Sequence, residues 1–481
     1  MQGWRLMMTQ GFERDIYLLR PKKLSPETIA VTFAKTSRSP LSFREIADEL
    51  SDEQSSEFHE KWVVGYGHAS VAEHAVLHIA FENVSRLAIE SIESNRLASY
   101  TEKSTRYQKW DLKGYYLPEE VRGSSYESLY VHTCDALFQA YQDSLDPVKT
   151  VVKDLDPQRE GESEARWDGR IRSEYVDACR FLLPAAALAN VGMTANARTF
   201  EHAIRKMLSH PLEEVRSIGE QVKSVARQET PTLVKYADKV DYLIETENEL
   251  DKIAQDLPLG GQPEMLDLIS FDENAEDRVL AAALYANSGT SFQTVLGHVQ
   301  SLDAQAKKTL VQKLLSRLGP FDVPLRAVEH AVYTFDSIMD QGAYFELKRH
   351  RMMTQTPQRL RADLGYAVPR KITQAGFEER YRGVMEKAAE AYRQLADWNP
   401  HVAAYVVPNG FNRRVLMTLN LREVFHFCEL RAEKNAHFSI RRIAMRMAEM
   451  VQSVHPLLAD YLRMPDGETW RSVEEQNFTQ V

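Results

Sequence analysis

Hydrophobic and polar positions alternate along two stretches of this chain, each opened by a Glu-His pair. Behind Glu73-His74, the residues Ala75, Leu77, Ile79 and Phe81 fall on alternate positions; behind Glu329-His330, Ala331, Tyr333 and Phe335 do the same. A period of two places such residues on one face of a strand. Helical stretches follow at residues 86–90 and 342–348, and residues 212–226 and 440–454 carry the spacing of amphipathic helices. The order of events is the same in both halves. Each begins with an apolar block (residues 27–37 and 277–288) and ends with another (183–198 and 407–422). A recurrence of this length means a duplicated unit. The predicted fold class is therefore α+β: two tandem copies of an antiparallel sheet packed with helices. Pro and Gly in an acidic middle stretch mark a surface connection. The expected organisation is a first repeat over residues 1–245, a connecting segment over 246–275 and a second repeat over 276–481.

Composition narrows the function classes. The 481 residues carry a net charge of −10, so nothing overall draws the chain to nucleic acid or an anionic membrane. Local arginine clusters are left to act on small anionic ligands. Cys134, Cys179 and Cys428 have no Cys-x-x-Cys spacing and lie in apolar helical context, which fits buried thiols in a reducing cytoplasm. No apolar run reaches the length of a membrane span. A soluble, cytoplasmic protein is expected.

Candidate chemistry sits in two arginine-rich motifs. Arg349-His350-Arg351 places two guanidiniums and a titratable ring on consecutive residues, suited to a long phosphate-bearing ligand or to a helix C-terminus. Glu102, Ser104 and Arg106 alternate, so on an extended segment they point the same way and offer an acceptor, a hydroxyl and a cation to a nucleotide; the same residues also suit a solvated polar strand or turn. The Glu-His pairs lack a third ligand at metal spacing, so no metal is expected. The chain has no Walker loop, Rossmann glycine fingerprint or nucleophile elbow.

Taken together these motifs resemble the flavin-dependent thymidylate synthase family (thymidylate synthase complementing proteins), present as a tandem duplication. Its signature reads R-H-R-x-x-S-x-N-E-x-S-x-R-Y. The first half matches at Arg96, Ser99, Glu102, Ser104, Arg106 and Tyr107 but has Ser94-Asn95 for the leading Arg-His and Thr101 for Asn. The second half keeps Arg349, His350 and Arg351, then departs with Thr356-Pro357 for Asn-Glu and Arg359 for the second Ser; Arg361 falls at the later arginine. His68 stands ahead of Glu73-His74 as the family requires, whereas the second half has Pro324. Arg180 precedes Pro184, but Ala404 precedes Pro408. The Asn-x-Arg element occurs twice, as Asn196/Arg198 and Asn420/Arg422, followed by His202 and His426. The family's uracil-facing arginine is Arg431 in one half and Met207 in the other.

The resemblance implies FAD-dependent methylation of dUMP to dTMP, with NADPH and methylenetetrahydrofolate as co-substrates, at composite sites shared between repeats. It implies Arg431 as the catalytic group, stabilising charge on the uracil. Substrate contacts fall on Glu102, Ser104, Arg106, Arg180 and Arg361. Cofactor contacts fall on His68, Arg96, Asn196, Arg198, Arg349, His350, Arg351, Asn420, Arg422 and His426. The family's homotetramers imply a homodimer of duplicated chains. The alternative is a flavin- or nucleotide-binding homologue with altered substrate or lost catalysis.

Overall fold

Each repeat builds one antiparallel sheet that includes the strand following its Glu-His pair. In the computed structural model, residues 24–36, 39, 41–61, 69–104, 106, 108–258 and 264–479 are described. The first sheet contains β1 (Val76–Ser85), β2 (Ala98–Glu102) and β3 (Leu188–Asn196), in the order β1-β3-β2. The second contains β4 (Leu266–Phe271), β5 (Val332–Asp340), β6 (Thr354–Pro357) and β7 (Asn412–Asn420), in the order β4-β5-β7-β6. Leu77, Ile79 and Phe81 are buried from one face of β1, and Tyr333 and Phe335 from one face of β5, as the alternation requires. The registers repeat too: Val76 pairs with Asn196 and Val332 with Asn420, while Ser99 pairs with Thr194 and Thr354 with Thr418. Within the stretch read as a connection, helix Asp241–Gln255 ends and β4 begins, so the second sheet gains an edge strand there.

The strands run directly into helices because a capping side chain stands at each junction. Ser85 accepts from Ala88 N at the start of helix Arg86–Ile92, and Asp340 accepts from Ala343 N at the start of helix Gln341–Leu347. Asn196 and Asn420 cap the helices Ala197–Leu208 and Leu421–Ala432 in the same way. Beneath the first pair of junctions, an acid and a hydroxyl have exchanged places between repeats. In the first repeat the Ser85 hydroxyl donates to buried Glu214 at 2.6 Å; in the second the Ser439 hydroxyl donates to buried Asp340. Either arrangement gives a buried carboxylate a hydroxyl partner, which its burial demands.

The repeats meet back to back around Pro184 and Pro408. Ala185 N donates to Val407 O at 3.0 Å and Asn409 N to Leu183 O at 2.9 Å, a reciprocal pair that marks a local pseudo-twofold. One core spans this junction, joining Phe181 and Leu182 to Tyr381, Tyr405 and Phe411. Helix Glu378–Trp398 of the second repeat packs on helix Glu127–Leu155 of the first. At Gly410 a β-carbon would lie 2.6 Å from the Tyr381 hydroxyl and 2.9 Å from Met385 Cε of its own repeat, and 3.2 Å from Phe181 Cδ1 of the first. No helix among the described residues is long and apolar enough to cross a membrane.

One expectation about local conformation is corrected. Glu102 ends β2, and the chain turns at once: Ser104 Oγ accepts from Arg106 N at 3.3 Å, and Ser104 O accepts from Gln108 N. Glu102, Ser104 and Arg106 therefore do not share one extended face. A serine that satisfies the backbone two residues on competes with strand continuation.

Candidate functional site

The turn after β2 carries Arg106 away from the sheet to a site made by both repeats. Its guanidinium forks onto Asp177, with Nε 2.9 Å and Nη2 2.7 Å from Oδ2, and its Nη1 donates to the Asn435 carbonyl of the second repeat at 2.8 Å. Asp177 lies one helical turn before Arg180, whose Nε is 3.5 Å from Asp177 Oδ1; Arg180 is 2% exposed. From the second repeat, helix Gln341–Leu347 supplies Glu346, and helix Leu421–Ala432 supplies Arg431, paired at 2.5 Å. Burial raises the Glu346 carboxyl, yet Arg349, Arg431, Arg180 and Arg106 together hold it below its usual value. These four guanidiniums thus surround one acid, two from each repeat. Beside them Glu102 pairs with Arg86, and the Arg86 guanidinium lies over the Phe345 ring, 3.8 Å from its centre.

The pseudo-symmetric counterpart of this cluster has lost its charged members together. Pro357 occupies the register position of Glu102 on β6, and Gln341, at the start of its helix, stands where Arg86 does. Gln341 turns to Glu90 of the first repeat instead, at 3.3 Å. Ala404 stands for Arg180 and Met207 for Arg431; Met207 is 2% exposed in the core. Asn95, in the place of His350, donates to the Ile92 carbonyl at its own helix end.

The other predicted residues divide by location. Arg351 is held by first-repeat carbonyls of Asn95, Arg96 and Ala98 and lies over Tyr100, so it joins the repeats rather than facing a ligand. Arg96 returns the contact, donating to Thr354 Oγ1 at 3.0 Å. Arg361 pairs with Asp363 on the surface and takes no part in the cluster. His350 is 4% exposed, with both ring nitrogens engaged by protein groups. Arg349 is exposed. His68 lies outside the described residues.

Asn196 and Asn420 spend their carbonyl oxygens on helix caps, while Arg198 and Arg422 pair with Glu73 and Glu329 of the Glu-His pairs. Asn420, Arg422, Glu423 and His426 line a cleft of about 990 Å³ whose apolar wall includes Met352, Phe425 and Leu430. The rest of its lining carries charge of both signs, Arg326, Arg422 and Arg463 against Glu329, Glu423 and Glu429; the apolar wall suits a planar ring system and the arginines a phosphate. Among the described residues no cluster of His, Cys, Asp or Glu could hold a metal ion. The three cysteines are buried, and burial pushes each thiol up, Cys179 to about 12.

Asp177, Glu346 and Arg86 were not among the residues picked from the sequence. Asp177 and Glu346 each stand three residues ahead of a picked arginine, a helical spacing that brings an acid beside a base.

Comparison with known proteins places this architecture. A sequence profile of the family described as thymidylate synthase complementing protein matches residues 21–232 and again 267–457. A UPF0159 protein of Chlamydia muridarum is 31% identical over 436 residues, covering 87% of this chain and 82% of its own. Another, from Thermoplasma acidophilum, is 28% identical over 87% of this chain and 90% of its own. A flavin-dependent thymidylate synthase of Clostridium tetani, 26% identical, covers 44% of this chain but 82% of itself, so one repeat corresponds to most of that enzyme. The chain belongs to the thymidylate synthase complementing protein family and carries its unit twice.

Proposed function

We propose that the chain methylates dUMP to dTMP, with FAD as cofactor and NADPH and methylenetetrahydrofolate as co-substrates, at the cluster shared by its repeats. The observation that carries this reading is the asymmetry of the two pseudo-equivalent clusters. One unites Arg106, Arg180, Arg349 and Arg431, while its counterpart holds Met207, Ala404 and Pro357 where charge is needed. Arg361, kept on the other side in the place of Arg106, is drawn off to Asp363 at the surface.

Arg106, Arg180 and Arg431 converge with Asp177 and Glu346 between them, and guanidiniums gathered in this way suit a phosphate-bearing nucleotide. Arg106 and Arg180 are assigned to the phosphate, with Ser104 at the turn beside them. Arg431 is assigned to the pyrimidine ring, where a fixed guanidinium stabilises charge that develops during methylation. FAD, when bound, supplies the hydride chemistry between NADPH and the transferred one-carbon unit. Arg349, Arg422 and His426 would hold it, with Met352 and Phe425 against its rings. The reading includes pairing of two chains into a pseudo-tetramer: Phe321, 98% exposed, and Met352, 70% exposed, stand on the cleft rim, and a second copy would cover them.

The test is the absorbance spectrum of the purified protein, its bleaching by NADPH and its response to dUMP, followed by assay of dTMP. Bound flavin, bleaching and a dUMP-dependent product are the expected results. A flavin-loaded protein that forms no dTMP would overturn the catalytic assignment, and a protein that takes up no flavin would overturn the whole reading.

A further inference from the structure

His350 stands between two groups of one helix, and its hydrogen bonds fix its protonation state. Its Nδ1 is 3.0 Å from Glu423 Oε1, and its Nε2 is 2.9 Å from Arg431 Nε. An arginine N–H can only donate, so Nε2 must present a bare lone pair and the ring proton must lie on Nδ1, facing Glu423. Glu423 is itself placed by the Asn420 cap, which accepts its main-chain N–H at 3.0 Å. The far side of the Arg431 guanidinium is held by Glu346. Two of its three nitrogens are therefore fixed by a chain that runs Glu423, His350, Arg431, Glu346.

We infer that His350 is a positioning residue: as the neutral Nδ1–H tautomer it sets the plane of the Arg431 guanidinium for the pyrimidine ring and does not itself touch cofactor. The inference rests on the proposed role of Arg431. A second observation supports it independently of distance. In the first repeat all four members of the chain are absent together, with Thr199, Asn95, Met207 and Ser91 in the places of Glu423, His350, Arg431 and Glu346. Asn95 there serves its own helix end.

The tautomer makes the arrangement sensitive to acid. Protonation puts a second N–H on Nε2, opposite a guanidinium that can only donate. Around the ring stand Glu423, His426 and Arg431 on the facing helix, Arg349 and Arg351 beside it in sequence, and Glu346 on the preceding helix. Burial, with Arg431 and His426, disfavours the charged ring, and Glu423 opposes them.

The experiment compares the full-length parent with His350→Gln and His350→Phe, reading the dissociation constant of dUMP from the flavin spectrum, KM and kcat separately, and thermal melting. The Gln amide can donate to Glu423 and accept from Arg431, so His350→Gln should bind dUMP within about threefold of the parent, and His350→Phe should lose about tenfold or more while keeping its flavin. Unchanged dUMP affinity in a folded His350→Phe overturns the inference, as does loss of flavin from both variants. If His350→Phe does not fold, the pH profile decides. Parent affinity should fall in a one-proton step below 6.5, the ordinary histidine value from which burial lowers this ring, and His350→Gln should lack that step; identical profiles overturn the inference. A parent that ignores dUMP removes the proposed function and this inference together, whereas a responsive parent with an unaffected variant removes this inference alone.

Discussion

Arg106 of the first repeat donates to the main-chain carbonyl of Asn435 in the second across 2.8 Å, while the rest of its fork rests on Asp177. An arginine anchored on both repeats holds the composite cluster together and also forms part of it. Duplication makes this arrangement available within one chain.

Removing that arginine should separate ligand binding from folding. Arg106→Ala is expected to weaken dUMP binding about tenfold to a hundredfold, the range for losing a charge-assisted contact. Titration of the flavin spectrum with dUMP checks it. Unchanged affinity would place the phosphate elsewhere.

Met207 and Arg431 occupy equivalent positions and should fail in different ways. Arg431→Ala should abolish dUMP-dependent turnover even in molecules that fold, and by leaving buried Glu346 without its partner it should also lower the melting temperature. Met207 is 2% exposed, so Met207→Ala should cost about 2–4 kcal/mol of stability by leaving a cavity. Turnover per folded molecule should stay within about threefold, because no step of the reaction asks anything of a core thioether. Greater loss of turnover in Met207→Ala than in Arg431→Ala would reverse the assignment of roles to repeats.

The junction between repeats depends on a missing side chain. Gly410→Ala forces a methyl against Tyr381 and Met385 and is expected to cost about 1–3 kcal/mol, the usual penalty for overpacking. Denaturant unfolding measures it. A neutral result would mean that helix Glu378–Trp398 shifts freely, contrary to a shared core.

Acid should loosen the same region. Burial first, then neighbouring charge, lowers His210 and His401 from the ordinary 6.5 to about 4 each. The unfolded chain takes up protons near pH 6.5 while the folded one resists until about pH 4. The stabilisation is therefore complete above pH 6.5 and is lost as pH falls towards 4. Each half-buried ring contributes at most about 3 kcal/mol, less what solvent screening removes. Melting temperature should fall between pH 7 and 4.5, and the double change His210→Gln, His401→Gln should flatten the curve. Equal slopes in parent and variant would show that these rings already exchange protons freely in the folded state.

Recurrence of the same order of motifs and apolar blocks determined that the chain is a duplicated unit, and periodicity determined its strand faces, because a buried sheet face imposes alternation on any sequence that forms it. Leu77, Ile79 and Phe81 obey it in one repeat, and Tyr333 and Phe335 in the other. The motifs were equally legible as motifs, since Arg349-His350-Arg351 and the Asn-x-Arg pairs are contiguous. Their roles were decided by tertiary structure. Arg351 faces first-repeat carbonyls, Arg361 pairs with Asp363 at the surface, and His350 turns inward between Glu423 and Arg431. Glu346 joined the cluster because both repeats converge on it. A guanidinium binds the acceptor that folding brings within about 3 Å. That acceptor is often hundreds of residues away, where no local pattern can register it.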